Sequence, residues 1–316
     1  MKFIKHNQNL TGMKTLKLLL TTLIIAISFS SCSDSIEQPY YPTLEEVVTK
    51  YDLWYIDYNR TEGIGDVPFL SKAFTISFIN GRVYANNNIV GIGFTGNGYG
   101  IEIGYYDTYK GFLEINHNLD GYYDFDVVEI SSTRLKLIDN YNKVTYYLEG
   151  FNKNTFDFDQ IFYDNIEYFL QEYIAWEKFA VIGGVENVFD YENFLAFTPE
   201  NLTTFYSSQD EIGTNIDNIF WDYVGDYEVF NVEGVNNLKY LTLNYGSGDI
   251  EEFDLTVIDD ETISLYHITS ETTYEFSGKG FIQFLKPNSD KESVRNDGRK
   301  RTKVNRKTVD NKRNLK

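Results

Sequence analysis

Cysteine is nearly missing from this chain: one residue, Cys32, in 316. A single thiol excludes any disulfide within the chain, so packed cores must hold the fold alone. Histidine is almost as scarce, with only His6, His117 and His267. Positive charge is scarce where the body lies: residues 32–285 carry 12 Lys+Arg against 43 Asp+Glu, a net of −31. Such a body argues against nucleic acid or an anionic membrane surface as its partner, since both attract cations. Long apolar runs are lacking too. Leu18 to Phe29 is a run of 12 residues broken only by Thr and Ser, short of the roughly 20 that cross a bilayer as a helix.

Aromatic residues are what the chain has in abundance, 17% of the total with 26 Tyr and 24 Phe. Together with Val, Ile and Thr they suit half-buried pleated surfaces. The pattern occurs twice. Phe125 to Gly150 aligns without a gap on Phe253 to Gly278 at an offset of 128, with seven identities in 26: Phe125/Phe253, Asp126/Asp254, Ile130/Ile258, Leu137/Leu265, Thr145/Thr273, Tyr146/Tyr274 and Gly150/Gly278. A period near 125 residues is the size of a domain. In each copy apolar and polar residues alternate (Leu135, Leu137; Val144, Tyr146, Leu148), which puts one set into a core and the other into water. Asp139-Asn140-Tyr141-Asn142 between them is turn chemistry. Two antiparallel hairpins per repeat follow.

In chain order, Thr43 with Glu46 three residues on predicts a capped helix with Leu44, Val47, Val48 and Tyr51 on one stripe. Strand-like runs then start near Leu53, Phe74, Arg82, Ile89, Tyr99, Gly111, Tyr122 and Arg134, with Val144 to Gly150 closing the copy. Asn80-Gly81 is a two-residue hairpin signal. The glycine-rich stretch Gly91 to Gly104 reads as a hairpin; a phosphate-cradling loop would need a helix after it, whereas Ile101 and Ile103 continue a strand. The linker around Asn152 to Phe156 is polar, which predicts separable copies. Ile161, Ile166, Phe169, Leu170 and Tyr173 recur at helical spacing, so a helix leads into Trp176 as the first leads into Trp54. The expected organisation is 1–31 a signal peptide (Met13 the more natural start), 32–42 a tether, 43–155 and 156–285 the two β domains, and 286–316 a disordered tail. That tail carries 12 basic and 4 acidic residues and no aromatic one, too little apolar surface to order itself.

Phe29-Ser30-Ser31-Cys32 resembles the lipobox of bacterial lipoproteins, two small residues before a cysteine, with Phe29 where the pattern prefers leucine. The resemblance implies cleavage before Cys32, lipidation including palmitate on Cys32, and anchoring by more than one acyl chain. Ser33 directly after the cysteine implies the outer membrane, and Asp34 and Glu37 resemble the acidic stretch of lipoproteins exported to the cell surface. Each copy, with a helical turn, a Trp on its first strand and about eight antiparallel strands, resembles the lipocalin-like domains of bacterial envelope proteins. That implies an all-β fold of two tandem up-and-down β-barrels, able to be filled by side chains or to hold one small ligand. Asp52 and Ile174 stand where lipocalins favour glycine before the Trp.

Candidate ligand-binding residues on that reading are Trp54, Phe78, Tyr146, Trp176, Phe197 and Tyr274, contacting an apolar or glycan ligand; the other reading is a structural envelope protein whose aromatics fill its cores. Ile130-Ser131-Ser132-Thr133-Arg134-Leu135-Lys136 resembles the ISSTxxR motif of nicotinic acid mononucleotide adenylyltransferases, and the chain as a whole resembles a family of two-copy lipoproteins sometimes given that name. The resemblance implies nucleotidyl transfer. Lys136 stands at the motif's arginine, the companion H-x-G-H is missing, and the strand–helix alternation of that enzyme fold is absent from the pattern. His117 near Asp120 is a weak metal candidate. Asp120, Asp124 and Asp126 suit calcium by ligand type, but Asp120-Gly121 is also an ordinary turn. Among so many carboxylates no pair stands out for glycoside hydrolysis. No catalytic residue, cofactor or metal set is assigned.

Overall fold

The computed structural model describes residues 40–199, 203–284 and 300–311. Cys32 and the expected signal peptide lie outside them. Thr43 caps α1 (Leu44–Val48) through a capping box: its Oγ1 accepts from the Glu46 N–H at 3.2 Å, and its own N–H donates to Glu46 at 2.7 Å. Eight antiparallel strands follow and close on themselves: β1 (Leu53–Gly63), β2 (Thr75–Ile79), β3 (Arg82–Asn86), β4 (Ile101–Tyr109), β5 (Phe112–His117), β6 (Gly121–Ser131), β7 (Arg134–Asp139) and β8 (Val144–Phe151). Asn80 and Gly81 turn β2 into β3 with φ of 51° and 78°, the double positive φ that a two-residue hairpin demands. Ile89 starts no strand. Residues 87–100 form an irregular loop in which Gly91, Gly96, Asn97, Gly98 and Gly100 have positive φ, and the sheet resumes only at Ile101.

Two short helices, α2 (Phe158–Asp164) and α3 (Ile166–Leu170), broken at Asn165, lead into the second barrel. Its strands are β9 (Tyr173–Ile182), β10 (Phe194–Phe197), β11 (Thr204–Ser208), β12 (Tyr223–Val232), β13 (Val235–Gly246), β14 (Asp249–Asp259), β15 (Thr262–His267) and β16 (Thr272–Phe281). They run β11-β10-β9-β16-β15-β14-β13-β12, and β11–β12 pairing closes the ring. The fold is thus all-β, two tandem up-and-down barrels, each entered through short helix.

The two copies share one lock. Trp54 Nε1 donates to the Val48 carbonyl at 2.8 Å, and Trp176 Nε1 donates to the Leu170 carbonyl at 2.9 Å, each reaching six residues back. Trp54 lies opposite Gly150, and Trp176 opposite Gly278. A Cβ on Gly150 would stand 2.2 Å from the Tyr51 ring, and one on Gly278 would stand 2.6 Å from the Tyr173 ring. Only glycine lets these rings lie flat across the last strand. Their hydroxyls then donate to the Ser132 and Asp260 carbonyls at 3.0 Å each. The repeat identity at Gly150/Gly278 is therefore a packing requirement.

The copies are not insulated from each other. Tyr58, Phe74, Ile89 and Ile92 of the first barrel belong to the same buried cluster as Phe162, Tyr168, Phe169 and the second barrel's core. Glu172, fully buried, accepts the Ile89 N–H at 2.7 Å and the Val90 N–H at 2.8 Å. Asn88 completes the seam by donating to the Ile282 carbonyl and accepting from the Phe284 N–H. The polar linker is thus a poor guide to separability, because the loop after β3 carries apolar side chains across.

The C-terminal segment corrects the expectation of a disordered tail over residues 300–311. It lies along both barrels and ends in β17 (Thr308–Val309), parallel to β12. What composition concealed is that arginine can bury itself on aromatic faces and on carbonyl and carboxylate oxygens, without aromatic residues of its own.

Two lysines are buried as well. Lys178 is pushed down to about 8 by burial against the raising effect of Asp190 and Glu192. Lys239 is pushed down to about 8 by burial and by Arg306, with Asp164 and Glu167 opposing. A base depressed in the folded state binds fewer protons there than when unfolded, so stability rises with pH from about 8 and is lost as pH falls through that value. Tyr106 and Tyr274, each raised to about 12 chiefly by burial, act oppositely above their ordinary value of 10.0. The melting temperature is expected to climb from about pH 8 to a maximum between about 9 and 10 and to fall beyond it. Lys239→Met should flatten the rise; an unchanged profile in that variant would refute the assignment.

Candidate functional site

The six aromatics named from the sequence are all core residues. Trp54 and Trp176 form the locks already described. Tyr146 accepts the Val67 N–H at 2.9 Å and so holds the β1–β2 loop as a plug in the first barrel. Tyr274 donates to Asp190 at 2.6 Å and accepts from Asn187 at 2.7 Å, both in the loop between β9 and β10. Phe78 stacks edge-on to Tyr106 and Phe197 edge-on to Tyr227. Only Phe78 touches a described cleft, one of ≈ 430 Å³ beside α1 that also involves Glu45, Tyr51 and Tyr99. Buried side chains cluster inside both barrels, Trp54, Phe69 and Phe125 in the first and Trp176, Phe189 and Phe276 in the second, as an eight-stranded barrel permits.

A larger open pocket, of ≈ 540 Å³, lies where β6 runs past the end of β7. Phe112, Tyr122, Tyr123 and Tyr141 give it aromatic walls; Asp120, Asp124, Asp126, Asp139, Asn140 and Asn142 give it oxygen acceptors, and among the described residues no basic one lines it. Tyr141, 93% exposed, stands at its lip in the β7–β8 turn. That turn is held by Asp139, which accepts the Asn142 N–H at 2.8 Å and its amide at 2.7 Å. Asn140 donates across to Asp126 at 2.6 Å, tying turn to wall.

Register explains the pocket's outer wall. Asp107, Glu114 and Asp124 face one another across β4, β5 and β6 as one row. Tyr105, Asn116 and Tyr122 form the row on one side, and Tyr109, Phe112 and Asp126 the row on the other. Like charges directly opposite in a sheet are destabilising, so this arrangement does not serve the fold. Partial burial, then hydrogen bonds to Asp124 and Glu114, hold the Tyr122 hydroxyl above its ordinary pKa.

His117 is no surface loop residue. It stacks on Phe69 at 4.8 Å, accepts the Asp120 N–H at 2.9 Å, and is lowered by burial against the raising effect of Asp120. Among the described residues no group of three or more His, Cys, Asp or Glu is placed to hold a metal ion. Ile130 to Lys136 spans the end of β6, a turn and the start of β7; the Ser132 carbonyl receives Lys50 and Tyr51, and the Thr133 carbonyl receives the Gly150 N–H. In the second barrel, Glu192 accepts Ser207 and Tyr245, and His267 lies between Glu251 at 2.6 Å and Ser270 at 2.6 Å.

No protein-family model matches the chain, and no curated protein matches it. Function is therefore read from the pocket. Its aromatic walls escape a sequence reading because alternation marks which side chains point inward, and most of these rings point outward or sit in turns.

Proposed function

We propose that the chain is a lipocalin-like binding module held to the outer membrane by lipid on Cys32, with a glycan as its ligand in the open pocket of the first barrel. The observation that carries this reading is the pairing of four aromatic rings with carboxylate and amide acceptors around ≈ 540 Å³, a volume within the usual range for small-ligand sites. The apolar faces of a sugar ring stack on aromatic rings while its hydroxyls donate to the oxygens. A lipid would need an apolar site, and this pocket is rimmed with carboxylates and amides. The aromatics clustered inside both barrels favour a second reading, a purely structural envelope protein.

One experiment separates the two. Neutral oligosaccharides are titrated into the purified chain and the melting temperature followed. A ligand at a hundredfold excess over its Kd stabilises by about 2.7 kcal/mol. That shift should vanish in Tyr122→Ala and Tyr141→Ala, whose side chains carry no core contact of the barrel. No shift with any oligosaccharide leaves the structural reading standing. In cells, fatty-acid labelling should mark the wild type and not Cys32→Ala; persistent labelling of that variant would refute the anchor.

A further inference from the structure

Residues 300–311 occupy a groove built from both barrels and from the helices between them. Arg301 enters first. Its backbone N–H donates to the Ser71 carbonyl, and its guanidinium donates to the Ala73 carbonyl, to the Ile56 carbonyl at 3.0 Å and to Asn165 Oδ1 at 3.3 Å. The same guanidinium lies 4.2 Å from the Tyr58 ring centre and 4.4 Å from that of Phe74. It is 5% exposed, and the acceptors around it are carbonyl and amide oxygens rather than a carboxylate. A slot with this acceptor pattern is shaped for guanidinium; lysine has neither the planar fork nor the ring-stacking face.

The rest of the segment is read in turn. The Thr302 N–H donates to the Tyr168 hydroxyl at 2.8 Å, and the Val304 N–H to Asn59 at 3.2 Å. Arg306 meets both oxygens of Glu167 in a buried bidentate pair and donates to Asn231 at 3.3 Å. Lys307 pairs with Glu228 at 3.0 Å. The backbone then adds to the rim of β12, with the Asn231 N–H donating to the Lys307 carbonyl and the Glu233 N–H to the Val309 carbonyl. Strand addition supplies affinity, and the side-chain pockets supply selectivity.

Neither barrel needs this segment to close. β1 pairs with β8, β9 with β16 and β11 with β12 without it. Fifteen residues, 285–299, join Phe284 to Lys300, enough to span about 50 Å when extended. The body's charge of −31 against +8 for residues 286–316 draws the segment to any copy of the body, not only its own.

We propose that this groove is a recognition site for an extended segment with arginines five residues apart, and that its exchangeable occupant is the 300–311 segment of a second copy of this chain. The full chain carrying Arg301→Ala and Arg306→Ala has the groove but not its anchors. A labelled synthetic peptide of sequence 300–311 is expected to bind this variant, with affinity falling as salt rises. The same peptide with Arg301→Ala should bind at least about tenfold more weakly. Failure of the wild-type peptide to bind a folded double variant overturns the site. Should the double variant not fold, a protease site placed at residues 290–296 of the wild-type chain gives the second measurement. After cleavage the segment should stay with the body on gel filtration and be displaced by excess labelled peptide; a segment that leaves unaided, or that excess peptide never displaces, overturns the proposal. For the second copy, the intact wild type should form dimers at high concentration that the double variant does not form. A wild type that stays monomeric at every concentration overturns that part.

Discussion

Trp176→Ala is expected to lower the stability of the second barrel by about 3–5 kcal/mol, the usual cost of emptying a large core site. Trp176 is fully buried, with Tyr173 at 4.9 Å and Phe169 at 5.4 Å between ring centres. Collapse into the space of the missing indole is opposed by Tyr173, which is seated over Gly278 and tied through its hydroxyl to the Asp260 carbonyl. Trp176→Phe should keep most of the packing but leave the Leu170 carbonyl without its donor, at a cost nearer 1–3 kcal/mol. Urea unfolding followed by circular dichroism measures both. A loss below about 1 kcal/mol for the alanine variant would mean that the helix–tryptophan lock is not a major support.

Glu172→Ala is expected to cost about 2–5 kcal/mol, from two backbone N–H groups left without an acceptor at about 1–3 kcal/mol each, and to change how the protein melts. Its two oxygens take the N–H groups of Ile89 and Val90, so removal leaves two buried donors without their acceptor. The loop after β3 then loses its seat on the second barrel, and one thermal transition should become two. Hydrogen exchange at Ile89 and Val90 should accelerate in the variant. A single transition at the wild-type temperature, with both amides still protected, would show that the apolar cluster alone joins the barrels.

Much of the fold was legible before the structure. The offset of 128 paired Gly150 with Gly278, and both occupy the same place opposite a tryptophan. Thr43 and Glu46 announced the first helix, and Asn80-Gly81 the first tight hairpin. The stretch from Ile89 to Gly100 misled because apolar side chains at Ile89 and Ile92 pack on a neighbouring barrel rather than within a sheet. Alternation cannot distinguish those two destinations. Residues 300–311 misled for a different reason: their order comes from partners more than 70 residues away in sequence, such as Asn165, Tyr58 and Asn231. The pocket's residues are partly in view in the sequence, since Asp120, Asp124 and Asp126 suit calcium by ligand type. Their aromatic companions are not, because Tyr122 and Phe112 acquire meaning only through the strand register.

The two kinds of contact at the floor of each barrel set an order of events during folding. The tryptophan-to-carbonyl bond closes a loop of six residues, whereas ring closure brings Leu53 to Phe151 and Tyr173 to Phe281. Distant pairings bear a larger loop-closure entropy and form late. Until then each first strand, with its helix already attached, waits beside hairpins that assemble locally. During that interval β1 has two receptive last strands in the same chain, β8 and β16, both bearing the Thr-Tyr pair and the glycine that accommodates a Tyr51-type ring. Tandem copies are prone to this mispairing. The divergence of the remaining residues between the two repeats gives each first strand its own best partner, and sets the rate at which wrong rings must reopen.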